Sequence, residues 1–420
     1  MVASTNWVSA GSSAINTTTV AHVFATTVRA TAIGVVTSLS QGFDTLRDAQ
    51  VAGPVTVVGS VVFSLLGAVL QIFSGLPVLP AGSNVTVRTS TLVLPDSGKT
   101  VRADWYFPDE VDENTRLIYL QHGFLATGPM YSYTAAYLAE STNSIVIEPS
   151  ISSNLFDPRA EWLGGDPLQQ DVADLFGGDR PELAASAAEA GYTGTLPKDF
   201  VLVGHSLGGT LVMGAAEKMD EESIGNLKGI VLLDAVDMDN AIPDGLDRLS
   251  GADYRPVLGI SSERYTWNLD GLVGAELQAA RPDSVNGVVL AGGRHIDALQ
   301  GGNPFLQVAE CIVAGFSKPE NIDAVKVLAS SWINDMYDGT PPSYNSAGPA
   351  SATPLDQASD KTVIAMPWDP IAKVILNVLF RFAVYQPLTP DKPESCRRSS
   401  YSSSGSTDKS GCRPTGGVQA

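Results

Sequence analysis

Residues 200–216 read FVLVGHSLGGTLVMGAA, and this stretch is the part of the sequence that is most informative about the fold. Residues 200–204 are apolar throughout, as expected of a strand that is buried on both faces of a sheet. Residues 209–216 are small or apolar, which is typical of the start of a closely packed helix. Ser206 lies between the two segments, in the pattern G-x-S-x-G. The sequence therefore predicts a sharp strand-to-helix turn with Ser206 at its apex.

Seven further β-rich runs flank this stretch and complete the predicted sheet. The first two are joined by residues 95–98, PDSG, a turn that predicts an antiparallel hairpin. The later runs are apolar and alternate with helical stretches, which indicates parallel strands joined by right-handed crossovers. The predicted strands are residues 85–94, 101–107, 116–121, 144–148, 200–204, 229–234, 256–261 and 285–291, and the predicted helices include 167–175, 180–190, 210–219, 304–316 and 319–337.

These elements divide the chain into three segments. Residues 1–84 form an apolar, helical N-terminal extension, and residues 85–338 form an α/β domain with an eight-stranded, mostly parallel, doubly wound sheet. Residues 339–420 comprise a Pro- and Ser-rich linker, an amphipathic segment and a Ser-rich tail that we expect to be disordered. The link at 235–255 is too short for a large cap domain, so the sheet edge beside it should be open.

Residues 55–74 form an apolar run that is long enough to cross a hydrocarbon core. Small or polar residues recur along it at steps of three and four, which places them on one face of a helix. Such a face favours close packing against protein. We therefore favour a helix packed on the α/β domain over membrane contact through residues 55–74. The residues of this face are Ser60, Ser64, Gly67, Gln71 and Ser74.

The charge and cysteine content of the chain indicate which partners and bound groups it is expected to lack. The net charge is −19, from 45 acidic and 26 basic residues, and such a surface repels phosphate backbones, which excludes nucleic acid as a partner. The three cysteines form no CxxC pair or Cys/His cluster, so no metal site is expected. Cys311 lies in an apolar stretch and is expected to be buried, whereas Cys396 and Cys412 would form a bridge in an oxidising compartment.

Only four histidines can supply a base that removes the proton of the Ser206 hydroxyl. His22 precedes the sheet, His122 belongs to the turn after the third strand, and His205 adjoins the serine and points elsewhere. His295 remains, in the loop after the eighth strand. That loop leaves the carboxyl edge of the sheet, which is also the edge that carries Ser206. We therefore predict that His295 is the base.

The acid that orients His295 should lie between the serine and the histidine in the chain. Asp234 ends the sixth predicted strand, so it points into the same sheet edge and is the favoured candidate. Glu263, after the seventh strand, and Asp237 remain alternatives.

Two backbone N–H groups should stabilise a developing oxyanion. One belongs to Leu207, directly after the serine, and the other to Phe124 in residues 121–124, QHGF, hereafter the QHGF turn. His122 would then support this turn structurally. Aromatic residues are the candidates for lining a substrate cleft, with Tyr131, Trp162 and Trp267 favoured and Tyr133 and Tyr265 as further candidates.

The motifs QHGF, GHSLGG, LLDAVD and GGRHID together resemble the lipase/esterase branch of the α/β-hydrolase superfamily over roughly residues 85–337. An acid after the sixth strand and a late G-x-H-x-D turn are similar to chlorophyllases and platelet-activating-factor acetylhydrolases, and to the related cutinase-like polyester hydrolases. The sequence departs from the polyester hydrolases at the seventh strand, where no aspartate stands at the expected turn.

The resemblance implies a serine esterase that cleaves small or polymeric carboxylic esters through an acyl-enzyme on Ser206. It implies catalytic roles for Asp234 and His295, no metal or organic cofactor, and a secreted or cell-envelope-associated protein. Two alternatives stay open at this point: an acyltransferase that uses the same residues, and a non-catalytic envelope-associated binding protein. The sequence gives no oligomeric state.

Overall fold

The computed structural model describes residues 52–341 and 352–358, apart from positions 158, 160, 304–306, 308–310, 312 and 313. Most of the predicted helix at 304–316 therefore lies outside the described residues. The same holds for residues 1–51 and for the predicted amphipathic segment, Ser-rich tail and cysteine pair after residue 358.

A single sheet of nine strands in the order β1-β2-β4-β3-β5-β6-β7-β8-β9 forms the centre of the described part. β2 is antiparallel to both of its neighbours, β3 to β8 run parallel, and β9 is antiparallel to β8. This order and these directions are those of the α/β-hydrolase fold, and they confirm the predicted fold class. The strands are β1 (Thr86–Val93), β2 (Thr100–Phe107), β3 (Arg116–Gln121), β4 (Ser144–Ser150), β5 (Phe200–His205), β6 (Leu227–Leu233), β7 (Val257–Ser262), β8 (Gly287–Leu290) and β9 (Ala352–Pro354).

The eight predicted strands are all present, each within a few residues of its predicted bounds. The ninth strand corrects the predicted count, because it lies in a segment that we interpreted as a linker. β9 has only three residues and pairs along one side of β8. A strand this short shows no period of two, and its Pro354 is tolerated only because β9 is at the edge of the sheet.

Helices cover both faces of the sheet. On β3, Leu117 and Tyr119 enter one apolar cluster while Ile118 and Leu120 enter the other, so this strand is buried on both sides. α2 and α9 pack on the second face, and α3, α4, α5, α7 and α8 pack on the first. Among the described residues the helices are α1 (Ala52–Ser74), α2 (Ser132–Thr142), α3 (Asp166–Asp174), α4 (Pro181–Glu189), α5 (Leu207–Lys218), α6 (Glu221–Asn226), α7 (Ala241–Arg248), α8 (Leu272–Ala280) and α9 (Pro319–Asp338).

α1 contacts the α/β domain through part of the face that the sequence singled out. Asn154 donates from Nδ2 to the hydroxyls of Ser60 and Ser64, at 3.0 and 3.1 Å, and the Thr127 hydroxyl donates to that of Ser74 at 2.7 Å. Apolar side chains on the outer side are exposed, with Ile72 at 77%. No helix in the described part of the chain has the length and apolarity that a membrane crossing requires.

Candidate active site

Ser206 lies at a sharp turn between β5 and α5. Its φ of +54° and ψ of −125° are unfavourable for a residue with a side chain, and this strain is typical of a functional turn. Neighbouring backbone approaches closely on either side. A Cβ at Gly208 would lie 2.5 Å from the Gln121 carbonyl oxygen, and one at Gly204 would lie 2.4 Å from the Gly208 carbonyl oxygen. Only glycine therefore permits the turn that presents the Ser206 hydroxyl.

His295 lies beside this hydroxyl, with its Nε2 2.8 Å from Ser206 Oγ. The loop that carries it follows β8 and reaches the carboxyl edge of the sheet, as predicted from its place in the sequence. Its backbone N–H donates to the hydroxyl of Tyr265, which fixes the loop from one side. The structure thus brings together the two residues that were predicted to be nucleophile and base.

Asp234 is the carboxylate in contact with the imidazole, at 2.7 Å from Oδ2 to His295 Nδ1. It directly follows β6 with a φ of +40°. The backbone N–H of Ser262 and the hydroxyl of Ser262 each donate to this carboxylate at 2.8 Å, and Asn268 Nδ2 donates at 3.2 Å. Burial opposes ionisation, but the hydrogen bonds from His295 and Ser262 hold the pKa of Asp234 below its usual value. The carboxylate is therefore ionised at neutral pH.

This ionised carboxylate fixes the tautomer of the neutral imidazole. A carboxylate can only accept, so Nδ1 of His295 carries the proton and donates to Asp234. Nε2 of His295 is then the acceptor, and the Ser206 hydroxyl donates to it. The three side chains form one directed chain of hydrogen bonds that ends at the serine oxygen.

The two alternative acids lie elsewhere. Asp237 accepts a hydrogen bond from the Ile242 N–H at 3.0 Å and pairs with Glu276 of α8. Glu263 is half-buried, and in the described part of the chain neither its carboxylate nor that of Asp237 hydrogen-bonds with His295. Asp234 is thus the acid that the geometry favours.

The QHGF turn lies directly against the serine. A Cβ at Gly123 would stand 2.8 Å from Ser206 Cβ, so a side chain there would collide with the serine. The backbone N–H groups of Phe124 and Leu207 make no hydrogen bond with any described residue. Two backbone donors without a described partner therefore lie in the segments next to Ser206, one in the QHGF turn and one at the first residue of α5.

The predicted lining residues separate into two groups. Trp267 is half-buried and lies with its ring centroid 6.2 Å from that of His295, which places it beside the site. Tyr131 and Trp162 are only 0% and 1% exposed and belong to the core, so the expectation that they line an open cleft needs correction. Tyr131 belongs to the apolar cluster on one face of the sheet and Trp162 to the cluster on the other. Tyr265 is buried as well and serves the His295 loop through its hydroxyl.

Ser262 and Asn268 were not predicted from the sequence, although both donate hydrogen bonds to Asp234. Ser262 is the last residue of β7, the strand next to β6, and that position was its only sequence signal. Asn268 lies in the short 3₁₀ turn Thr266–Gly271, whose path the sequence does not indicate.

No protein-family model matches this chain, and no curated protein matches its sequence. Among solved structures, it is similar to carboxyl esterase 2 of the mycorrhizal fungus Tuber melanosporum, with 15% identity, a TM-score of 0.41, and coverage of 62% of this chain and 88% of that chain. It is also similar to brefeldin A esterase, titled a bacterial homologue of human hormone sensitive lipase, with 12% identity, a TM-score of 0.43, and coverage of 68% and 86%. A third neighbour is the hyperthermophilic esterase of the archaeon Pyrobaculum calidifontis, with 14% identity, a TM-score of 0.39, and coverage of 66% and 91%. The assignment of the α/β-hydrolase fold rests on the strand order of the sheet itself.

Proposed function

We propose that this protein is a carboxylic ester hydrolase that works through an acyl-enzyme on Ser206. The observation that carries the proposal is the directed hydrogen-bond chain from Asp234 through His295 to Ser206, beside two unpaired backbone N–H groups. This combination of nucleophile, base, orienting acid and oxyanion donors is what acyl transfer requires.

The chemistry follows from the positions of the protons. As Ser206 Oγ attacks the ester carbonyl carbon, His295 Nε2 takes its proton, and the carbonyl electron pair moves to oxygen. The N–H groups of Phe124 and Leu207 stabilise the resulting oxyanion. When the tetrahedral intermediate collapses, His295 gives the proton to the departing alcohol and the acyl group stays on Ser206. Water then attacks the acyl-enzyme with His295 again as base, which releases the acid and restores the serine.

Asp234 supports both half-reactions without taking up the proton. Its low pKa keeps it ionised, so it stabilises the imidazolium that forms when His295 accepts the serine proton. The hydrogen bonds from Ser262 hold the carboxylate in the orientation that this role requires.

The surroundings favour uncharged, apolar esters. Phe63 of α1 lies 6.2 Å, centroid to centroid, from Phe124 and 5.5 Å from Phe156, which forms an aromatic wall beside the QHGF turn. We propose acyl esters of lipids or polyesters as the substrate class, since such a wall suits an apolar acyl group. Export or attachment to the cell envelope stays a prediction that fractionation of the producing cells would test.

Hydrolysis of p-nitrophenyl esters from acetate to palmitate tests this proposal. We expect turnover by the wild type and a loss of at least about 10⁴-fold in kcat for Ser206→Ala. Ser330→Ala is the matched control, because Ser330 is equally buried and, among the described residues, its hydroxyl bonds only to the Val327 carbonyl within α9. Full activity in Ser206→Ala, or no turnover of any ester by the folded wild type, would contradict ester hydrolysis at this site.

A further inference from the structure

A chain of hydrogen bonds behind the reacting atoms joins the loop of the base to the QHGF turn. The Gly123 N–H donates to the Tyr131 hydroxyl oxygen at 3.0 Å, and this hydroxyl lies 2.6 Å from His205 Nδ1. His205 Nε2 lies 2.6 Å from the backbone carbonyl oxygen of His295. We call these four groups the Tyr131–His205 relay. The Tyr131 and His205 side chains are 0% and 3% exposed, so bulk water does not replace these bonds.

The position of every proton in the relay is determined. A carbonyl oxygen only accepts, so His205 Nε2 carries a proton and donates to the His295 carbonyl. Burial lowers the pKa of His205 to about 3, so its ring is neutral and Nδ1 must accept. The Tyr131 hydroxyl is therefore the donor to Nδ1, and its oxygen takes the Gly123 N–H. The relay runs in one direction, from the QHGF turn to the base.

The relay and His122 together fix the peptide planes of the QHGF turn. His122 Nε2 accepts from the Ile151 N–H at 2.8 Å, so Nδ1 carries the proton and donates to the Gly123 carbonyl at 2.8 Å. The Ala126 N–H donates to the same carbonyl at 3.2 Å. Because the described peptide bonds are trans, the Phe124 N–H must point away from that carbonyl. This is the donor that the proposed mechanism uses.

The backbone of His295 is held from both sides in the same way. Its N–H donates to the Tyr265 hydroxyl, and its carbonyl accepts from His205. The rings of His205 and His295 are also in contact, with centroids 4.8 Å apart. A shift of the His205 ring would therefore displace the base relative to the serine.

We propose that Tyr131 and His205 are positioning residues that keep the base and the oxyanion donor in one fixed geometry. This inference rests on the proposed ester hydrolysis and deepens it. Neither residue touches the substrate, and both act through the backbone groups at the two ends of the relay. Catalysis is sensitive to such geometry, because a displacement of about 1 Å costs up to about 100-fold in rate.

The test compares two buried tyrosines that each lose one hydroxyl. Tyr131→Phe breaks the relay, whereas Tyr106→Phe removes an equally buried hydroxyl that lies 3.4 Å from Glu148 Oε2, outside both the relay and the QHGF turn. With a p-nitrophenyl ester we expect kcat to fall about 10- to 100-fold in Tyr131→Phe, with KM within about twofold of the wild type. For Tyr106→Phe both constants should stay within about twofold. Equal kcat values in the two variants would overturn the inference.

A second set of variants keeps the test decisive if Tyr131→Phe folds poorly. His205→Gln extends an amide donor toward the His295 carbonyl, whereas His205→Asn retains an acceptor near Nδ1 and loses that donor. We expect His205→Gln to retain more of the wild-type kcat than His205→Asn. Combining Tyr131→Phe with His205→Asn should cost little more than the worse single variant, because both break one chain. Costs that simply multiply, or a His205→Gln that is no better than His205→Asn, would overturn the relay.

The outcomes separate this inference from the function on which it rests. If the wild type hydrolyses no ester and Ser206 is unreactive, ester hydrolysis fails and the positioning role fails with it. If the wild type is active through Ser206 and Tyr131→Phe behaves like Tyr106→Phe, only the positioning role is wrong.

Discussion

Asp234 and Glu148 are both buried carboxyl groups on the same sheet, but their surroundings have opposite effects on their protonation. Asp234 accepts hydrogen bonds from the Ser262 N–H, the Ser262 hydroxyl and His295 Nδ1. Its pKa is lowered although burial opposes this. Glu148 instead has its pKa raised well above its usual value, chiefly by burial and then by the charge of Asp104.

The environment of Glu148 explains the difference. It stands directly opposite Asp104 in the β2–β4 pair, and the Tyr106 hydroxyl lies 3.4 Å from one of its oxygens. Within the described residues, Glu148 Oε1 and Asp104 Oδ2 have no hydrogen-bond partner. Burial alone therefore does not set the charge state of an acid in this sheet. The number of donors aimed at the carboxylate decides it.

Replacing each acid by its amide should therefore lower kcat at Asp234 and leave it unchanged at Glu148. Asp234→Asn keeps the shape of the side chain but removes the charge and changes which imidazole nitrogen is protonated, so we expect kcat to fall by about 10⁴-fold. Glu148→Gln should leave kcat within about twofold, because in the described part of the chain Glu148 makes no hydrogen bond with Ser206, His295 or Asp234. Steady-state hydrolysis of p-nitrophenyl acetate by both variants measures this. More than a tenth of wild-type activity in Asp234→Asn would move the acid to Asp237 or Glu263.

A smaller effect is expected when Asp234 loses one of its donors. Ser262→Ala removes the hydroxyl that donates to Asp234 Oδ2 but keeps the backbone donor. We expect kcat to fall by about tenfold, since one hydrogen bond to a charged group contributes about 1.5 kcal/mol or more. The neighbouring Ser261→Ala, which removes a hydroxyl that makes no hydrogen bond with the described residues, is the control. Similar kcat values for the two variants would show that the hydroxyl does not matter.

Glu148→Gln should instead change the stability of the folded protein. Above pH 4.5 the unfolded chain ionises Glu148 while the folded protein retains its proton, so the wild type loses stability as the pH rises. The variant lacks this loss, and its amide can donate to the unpaired oxygen of Asp104. We expect its melting temperature to exceed that of the wild type by about 2–4 °C at pH 7.5, and by less at pH 4.5.

Glu140→Gln is the control for this effect, because Glu140 is an exposed acid on α2. Scanning calorimetry at the two pH values provides the measurement. A Glu148→Gln protein whose melting temperature falls at pH 7.5 would refute the idea that one oxygen of each acid lacks a donor.

The pair of Asp237 and Glu276 should give the smallest effect. Burial and then the charge of Asp237 raise the pKa of Glu276 to about 8, so the folded state retains a proton that the unfolded chain loses above pH 4.5. Glu276→Gln should therefore stabilise the protein more at pH 8 than at pH 5, with a smaller gain than Glu148→Gln because Glu276 is partly solvated. A gain that is independent of pH would contradict the shared proton.

Much of the fold could be predicted because its central strands are apolar. β3 and β5 are buried on both faces, so their uninterrupted apolar runs identify them without further information. β9 could not be found in this way, since a three-residue edge strand carries no periodicity and only its neighbour β8 gives it a partner.

The site residues also divide into those that the sequence could predict and those that it could not. Ser206 and Asp234 each directly follow a strand, and His295 lies in the loop after β8. The order of these residues in the chain and their common sheet edge were therefore enough to group them. The direction of a side chain is a tertiary property, which explains the error at Tyr131 and Trp162. An aromatic residue in a helix start or a loop can face core or cleft, and the sequence does not distinguish the two. Ser262, Asn268 and the relay depend on strand neighbours and loop paths that only the structure provides.

The reactivity of Ser206 is best measured by covalent labelling with a fluorophosphonate probe, because such probes react preferentially with activated serines and the adduct can be located by peptide mass spectrometry. We expect one adduct on Ser206 of the wild type, none in Ser206→Ala, and strongly slowed labelling in Asp234→Asn. An adduct on another residue, or labelling of Ser206 at an equal rate when Asp234 is replaced, would show that Ser206 is not activated through His295 and Asp234.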